Sequence, residues 1–188
     1  MKKISVKNYK TEKGQEIVQG ENKFVVKPVI GLDSAKQCAI HFVEVEPKNF
    51  AFGYHYHEMN EEAFYIISGS GIVRTRDGDI KVNTGDVITF PTGPEGSHCI
   101  RNASDTEKLV YIDFDTINIP DLVHLPDIKK VMYTGAYSKG MFDDNNNISI
   151  SRNPFGDSFF LTPAECVCPI TYIHAGILWR SLRLCLFR

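Results

Sequence analysis

Between Lys23 and Asn118 the chain is a succession of short apolar runs, each stopped by glycine, asparagine or proline before it is long enough to make a helix. The runs read FVVKPVI, QCAIHFVEVE, EAFYIIS, GIVRTR, DIKV, DVITF, HCIRN and LVYIDFDT. They are rich in Val, Ile, Phe, Tyr and Thr, whose branched or aromatic side chains fit a pleated surface, and several alternate apolar with polar. RDGD places an Asp-Gly turn at Asp77 and Gly78, and SGSG (68–71) and NTGD (83–86) supply two more. A parallel sheet would need long crossovers between its strands, and none is available here. The pattern therefore predicts an all-β, antiparallel barrel or sandwich over residues 23–118.

The flanks read differently. Residues 1–22 are polar and predict an edge strand or a loose arm. In the C-terminal extension, 119–188, IPDLVHLPDIKKVM reads as a proline-punctuated turn or short helix, and DDNNNISIS as a loop leading to a short strand. The last 28 residues carry three arginines, one acid, three cysteines and the only tryptophan, and read as an irregular or helical extension, either a docking helix or residues foreign to the barrel domain, with no assigned function.

Size and charge exclude some roles. At 188 residues, 43% hydrophobic and 23% charged, the chain fits one globular domain with a sizeable core. A formal net charge of −2 gives no electrostatic basis for binding nucleic acid or an anionic membrane surface. No run of eighteen apolar residues is present, and MKKISVKNYKTEKGQE lacks the apolar core of a signal peptide. Cys38, Cys99, Cys166, Cys168 and Cys185 are odd in number and scattered, which fits a reducing cytoplasm better than a disulfide framework. Cys166 and Cys168 have no second pair with which to hold a zinc knuckle.

Against this background two clusters stand out: HYHEMNEEAFYIISGSG, with His55, His57 and Glu62, and GDVITFPTGPEGSHCIRN, with His98. On a strand alternate side chains share a face, so His55 and His57 point one way while Tyr54 and Tyr56 point the other. Three imidazoles and a carboxylate form a ligand set for one divalent ion, with Fe, Mn, Zn, Ni and Co all compatible. Taken singly, a buried histidine is more often a hydrogen-bonded core residue than a ligand. Four donors at this spacing shift the balance toward metal. Glu61 is the rival carboxylate, and strand parity turns it outward. His41, His124 and His174 lack evident partners and read as ordinary, while Cys99 should face away from the ion and pack.

The same residues carry a family resemblance. His55-x-His57, four residues, Glu62, six residues and Gly69 follow the first motif of the cupin superfamily, with Asn49 where that motif opens on glycine. Gly85, Pro91, Gly93, His98 and Asn102 follow the second, with four residues instead of two between Gly93 and His98. The longer PTGPEGSH loop resembles that of small bacterial single-domain cupins without an assigned reaction. The resemblance covers residues 35–118 and implies a jelly-roll barrel, a metal held by His55, His57, Glu62 and His98, a small-molecule ligand and a homodimer. It leaves the reaction open, because this fold hosts many chemistries and some proteins without any. A metal-dependent dioxygenase or isomerase is one expectation, and a non-catalytic sensor or binding protein the other. Tyr111, Asp113 and Tyr56 are candidate acid/base groups, Phe64, Ile66 and Phe90 candidate apolar walls, and Arg74, Arg76 and Arg101 candidate carboxylate binders, although on a strand each such arginine is more often a solvated face residue.

Overall fold

In the computed structural model the described residues are 4–31 and 34–144. The expected docking helix, His174, Cys166, Cys168 and Cys185 lie outside them. Thirteen strands account for most of the described chain: β1 Gln15–Gln19, β2 Asn22–Ile30, β3 Cys38–Val45, β4 Phe50–His57, β5 Glu62–Ser68, β6 Ser70–Thr75, β7 Gly78–Asn83, β8 Val87–Phe90, β9 His98–Asn102, β10 Leu109–Thr116, β11 Asp121–Leu125, β12 Lys130–Thr134 and β13 Lys139–Asp143. Each of the eight runs read as strands between residues 23 and 118 is one, and the short strand expected after DDNNNISIS lies outside the described residues.

The strands form two antiparallel walls. One runs β1-β2-β3-β10-β5-β8, the other β7-β6-β9-β4-β11-β12-β13, and a single parallel pair, Asn22 with Phe50, joins β2 to β4. Alternation places one face of each wall inside. Phe24, Val43, Val45, Ala51, Phe64, Ile66, Val73, Val82, Phe90, Ile100, Leu109 and Tyr111 meet there as one buried core. This is the expected all-β cupin-like barrel. No helix among the described residues is long and apolar enough to cross a membrane.

Turn chemistry follows the glycines. Gly69 has φ +85°, and a Cβ there would lie 2.6 Å from the Lys108 carbonyl oxygen, so both the left-handed backbone and the close approach require glycine. Asn102 is fully buried and ties the core edge together by donating to the Val45 and Glu107 carbonyls.

The structure departs from the sequence reading after Asn118. PDLVHLPDIKKVM is a hairpin, β11 and β12, around a 3-10 turn at Pro126–Ile128. Its prolines, Pro120 and Pro126, bracket a five-residue strand instead of interrupting it, which is where a missing N–H costs no ladder bond. Asp121 and Val123 alternate inward, and β11 pairs with β4 at His57 and Tyr56.

Candidate metal centre

The sequence places His55 and His57 on β4, Glu62 at the start of β5 and His98 at the start of β9, and the fold brings all four together. Glu62 Oε2 is the common point: His98 Nε2 lies 3.3 Å away, His55 Nε2 3.4 Å and His57 Nε2 3.7 Å. The donor atoms of His55, Glu62 and His98 all lie within 4.8 Å of one another, with His57 standing slightly outside that group. Glu62 is buried and Glu61 is exposed, as strand parity requires.

Local backbone devices aim these rings. In β4 the chain advances from Ala51 to His55 while β9 moves only from Ile100 to His98, a bulge of two extra residues. Phe52, inside the bulge, adopts φ +57°. The bulge sets His55 directly opposite His98, with ring centroids 4.6 Å apart, and bulges commonly re-aim a side chain in this way. On the β9 side, the longer loop folds into a 3-10 turn, Pro94–Gly96, that delivers His98. A Cβ on Gly96 would sit 1.8 Å from the Pro91 carbonyl oxygen, so only glycine closes that turn. Gly93 donates its N–H to the His57 carbonyl at 2.7 Å, locking the turn to β4.

Each imidazole is fixed from behind. His55 Nδ1 lies 2.8 Å from the Gly53 carbonyl oxygen and His98 Nδ1 2.8 Å from that of Gly96. A carbonyl only accepts, so both Nδ1 atoms carry the proton. His57 Nδ1 lies 2.6 Å from Asp121 Oδ2, and Asp121 also accepts the Met59 N–H at 3.0 Å. With Nδ1 protonated, each Nε2 presents its lone pair to the centre, as in histidine ligands oriented by an outer carbonyl or carboxylate. Asp121 orients His57 from a segment that reads as a turn or short helix, so the sequence does not single it out.

The electrostatics call for a positive charge at the centre. His98 is 1% exposed, and its Nε2 is buried without a hydrogen-bond partner. Burial lowers its pKa to about 4, against the pull of Glu62. Burial acts the same way on His55, but there the Glu62 carboxylate and the Gly53 carbonyl outweigh it and raise the pKa. Burial alone would raise Glu62, yet the three imidazoles hold it well below the usual carboxylate range. Asp121 is lowered too, since its hydrogen bonds from His57, Met59 and Asn60 outweigh its burial. An orphaned, buried Nε2 among two further imidazoles and a carboxylate fits a divalent ion chemically, and these groups could hold one.

The surroundings are apolar on the β9 side. Phe90 stacks on His98 at 3.5 Å between centroids and 9°, and Phe64 meets it edge-on at 5.3 Å. Phe64, Ile66 and Phe90 are all buried in the core. The other polar candidates divide. Tyr111 and Asp113 face the barrel interior on β10, whereas Tyr56 faces away and stacks on His124, which itself pairs with Glu58 at 2.7 Å. Arg74 is exposed, in a two-pronged ion pair with Asp127, and Arg76 pairs with Glu95. Arg101 is half-buried on β9. Cys99 is buried, and burial pushes its thiol up, as suits a packing residue.

His41 is not the isolated residue the sequence suggested. It is buried opposite Asp113 on β10, 3.9 Å from Asp115 through its Nδ1, and burial lowers its pKa. Burial also raises Asp113 well above the ordinary range and Asp115 to about 8, each reinforced by neighbouring carboxylates.

Comparisons with known proteins agree with this fold. Residues 41–115 match the family model described as the cupin domain. A candidate sugar phosphate isomerase from Acidithiobacillus ferrooxidans ATCC 23270 superposes with a TM-score of 0.66 at 25% identity, covering 75% of this chain and 91% of that one. A sugar phosphate isomerase of the cupin superfamily from Silicibacter pomeroyi DSS-3 gives 0.60 at 16% identity, over 68% and 81%. A candidate oxalate decarboxylase from Thermotoga maritima gives 0.52 at 16% identity, over 61% and 100%. No curated protein sequence matches the chain. Residues 41–115 are thus a cupin domain.

Proposed function

We propose that the chain is a divalent-metal-dependent enzyme that isomerises a small polar carbonyl compound of the hydroxy-aldehyde or hydroxy-ketone class, with His55, His57, Glu62 and His98 as the metal ligands. The observation that carries the reading is the convergence of three Nε2 lone pairs on Glu62 Oε2, one of them buried and without a partner. A divalent ion held by these four residues would supply Lewis-acid polarisation of a bound carbonyl. Adjacent hydroxyl and carbonyl oxygens would let a substrate engage such an ion through two atoms. The 25% identity to the Acidithiobacillus protein favours isomerisation over oxygen chemistry.

The chain's own residues have definable parts in this reading. Gly53, Gly96 and Asp121 hold the Nδ1 protons and so keep the ligand lone pairs aimed inward. Phe64 and Phe90 exclude water from the His98 side, which strengthens every polar interaction in the centre. Burial and then Glu62 raise the carboxyl group of Asp115, whose backbone pairs with that of Glu62, to about 8, so in the ion-free chain it holds its proton at neutral pH.

The test is turnover of phosphorylated and free hydroxy-aldehydes by metal-loaded protein, under air and under nitrogen, with product and oxygen both measured. Equal turnover in the two atmospheres supports the isomerase. Oxygen uptake would move the function to a dioxygenase, and tight binding of a small acid or sugar without product would move it to a sensor.

A further inference from the structure

We propose that His41, Asp113 and Asp115 form a second divalent-cation site, adjoining the first inside the barrel. Their donor atoms lie within 4.8 Å of one another. The register explains the grouping. Asp113 stands opposite His41 on β3, and Asp115 stands opposite Ala39. On its other side Asp115 stands opposite Glu62, so the two clusters share an edge. His41 Nδ1 and Asp115 Oδ2 are 3.9 Å apart, too far for a hydrogen bond. Two ligands on one ion at bonds of ~2.1 Å are held roughly 3–4 Å apart, so the spacing suits a shared cation better than a direct contact.

A second, independent observation points to a ligand here. Asp113 is 4% exposed, and its Oδ1 is buried with no hydrogen-bond partner. The Tyr111 hydroxyl, one inward position further along β10, is likewise fully buried and unpartnered. Such groups are costly unless something satisfies them, and a carboxylate oxygen that accepts from nothing is a free metal donor.

The charge count leads to the same place. Glu62, Asp113, Asp115 and Asp121 put four carboxylates in one interior, and the ion-pair partners of Glu62, Asp115 and Asp121 among the described residues are all imidazoles. In the ion-free chain burial keeps protons on Asp113 and Asp115; a divalent ion seated there would displace them, so that with neutral imidazoles two such ions balance the four carboxylates. One nitrogen and two carboxylates make a harder donor set than the first centre, which selects an oxygen-preferring ion such as Mn2+. The inference is independent of the substrate reading and needs the first centre only as its neighbour.

The experiment is equilibrium dialysis of the chelator-treated full chain against Mn2+, with elemental analysis and electron paramagnetic resonance of the bound ion. We expect two ions per chain, the second bound at least tenfold more weakly and broadening the signal of the first. Asp113→Asn and His41→Gln should each leave one ion. His98→Leu should remove the tight ion and leave the weak one, and adding Asp113→Asn to it should leave none. A wild type that saturates at one ion lost in His98→Leu overturns the second site, as do two ions in either Asp113→Asn or His41→Gln. One ion that survives His98→Leu but not Asp113→Asn would uphold this site and overturn the first, so the two failures are distinguishable.

Discussion

Two clusters of imidazole and carboxylate lie side by side in this barrel, and they are finished to different degrees. Around Glu62 each of the three imidazoles has an acceptor behind it, at 2.6–2.8 Å. Around Asp113 the one imidazole meets its nearest carboxylate at 3.9 Å, and a carboxylate oxygen has no partner. Both clusters are buried, so burial does not separate them. What separates them is orientation: the first centre holds its lone pairs in place before any ion arrives, and the second must gather its donors. Preorganisation reduces the ordering cost of binding, so the first should bind far more tightly than the second.

The sharpest way to break that contrast is to remove a donor from the finished cluster. His98→Leu keeps the apolar packing between Phe64 and Phe90 while deleting the buried Nε2, and we expect the tight metal affinity to fall by more than about 100-fold, beyond the loss typical of an outer partner. Metal content after gel filtration, with circular dichroism to verify the fold, checks this. An unchanged metal content would remove His98 from the ligand set.

A smaller effect is expected from loosening the support without touching a donor. Asp121→Asn weakens the acceptor behind His57 and should cost roughly tenfold in metal affinity, at the lower end of the range for outer partners. Competition with a fluorescent chelator measures it. An effect as large as that of His98→Leu would make Asp121 a ligand itself.

One residue of each cluster, His98 and Asp115, should also respond to pH with opposite signs in the metal-free protein. Burial holds His98 at about 4 against an ordinary 6.5, so over that window the unfolded chain binds more protons and stability rises with pH. Asp115 is pushed from 3.8 to about 8 by burial and then by Glu62, so over that wider window the folded chain holds the extra proton and stability falls as pH rises. Thermal melts of chelated protein between about pH 5 and pH 8 separate the two. Asp115→Asn should lose less stability toward pH 8 than the wild type, and an equal loss would place the titrating group elsewhere. The smallest change is expected outside both clusters: Glu61→Gln, on the exposed side of β5, should leave metal affinity and melting temperature unaltered. A drop in metal content there would reverse the assignment of the carboxylate.

Much of the first cluster was legible because it obeys strand parity. His55 and His57 share a face, and parity chose Glu62 over Glu61 without reference to any partner. Tyr111, Asp113 and Asp115 obey the same rule, three polar residues at alternate positions of an otherwise apolar strand, and that signal was available in LVYIDFDT. What pairs them with His41 is register across β3 and β10, some 70 residues apart, which no local pattern encodes. The bulge before His55 was also invisible. It carries its positive φ on Phe52, a residue type that gives no warning of the left-handed region, instead of on the neighbouring Gly53. Asp121 was hidden by its prolines, which read as a break when they are the ends of a strand.

The position of Asp121 also bears on what can be moved from one protein to another. The stretch by which the cupin domain is recognised closes at residue 115, yet the carboxylate that seats His57 arrives six residues later, on a strand added to the edge of β4. A fragment trimmed to the recognised boundary would keep every motif residue and still hold His57 by one face only. The portable unit of this protein is the barrel together with its β11–β12 hairpin, so grafts or truncations designed on sequence motifs alone would carry over the proposed ligands and leave behind part of what aims them.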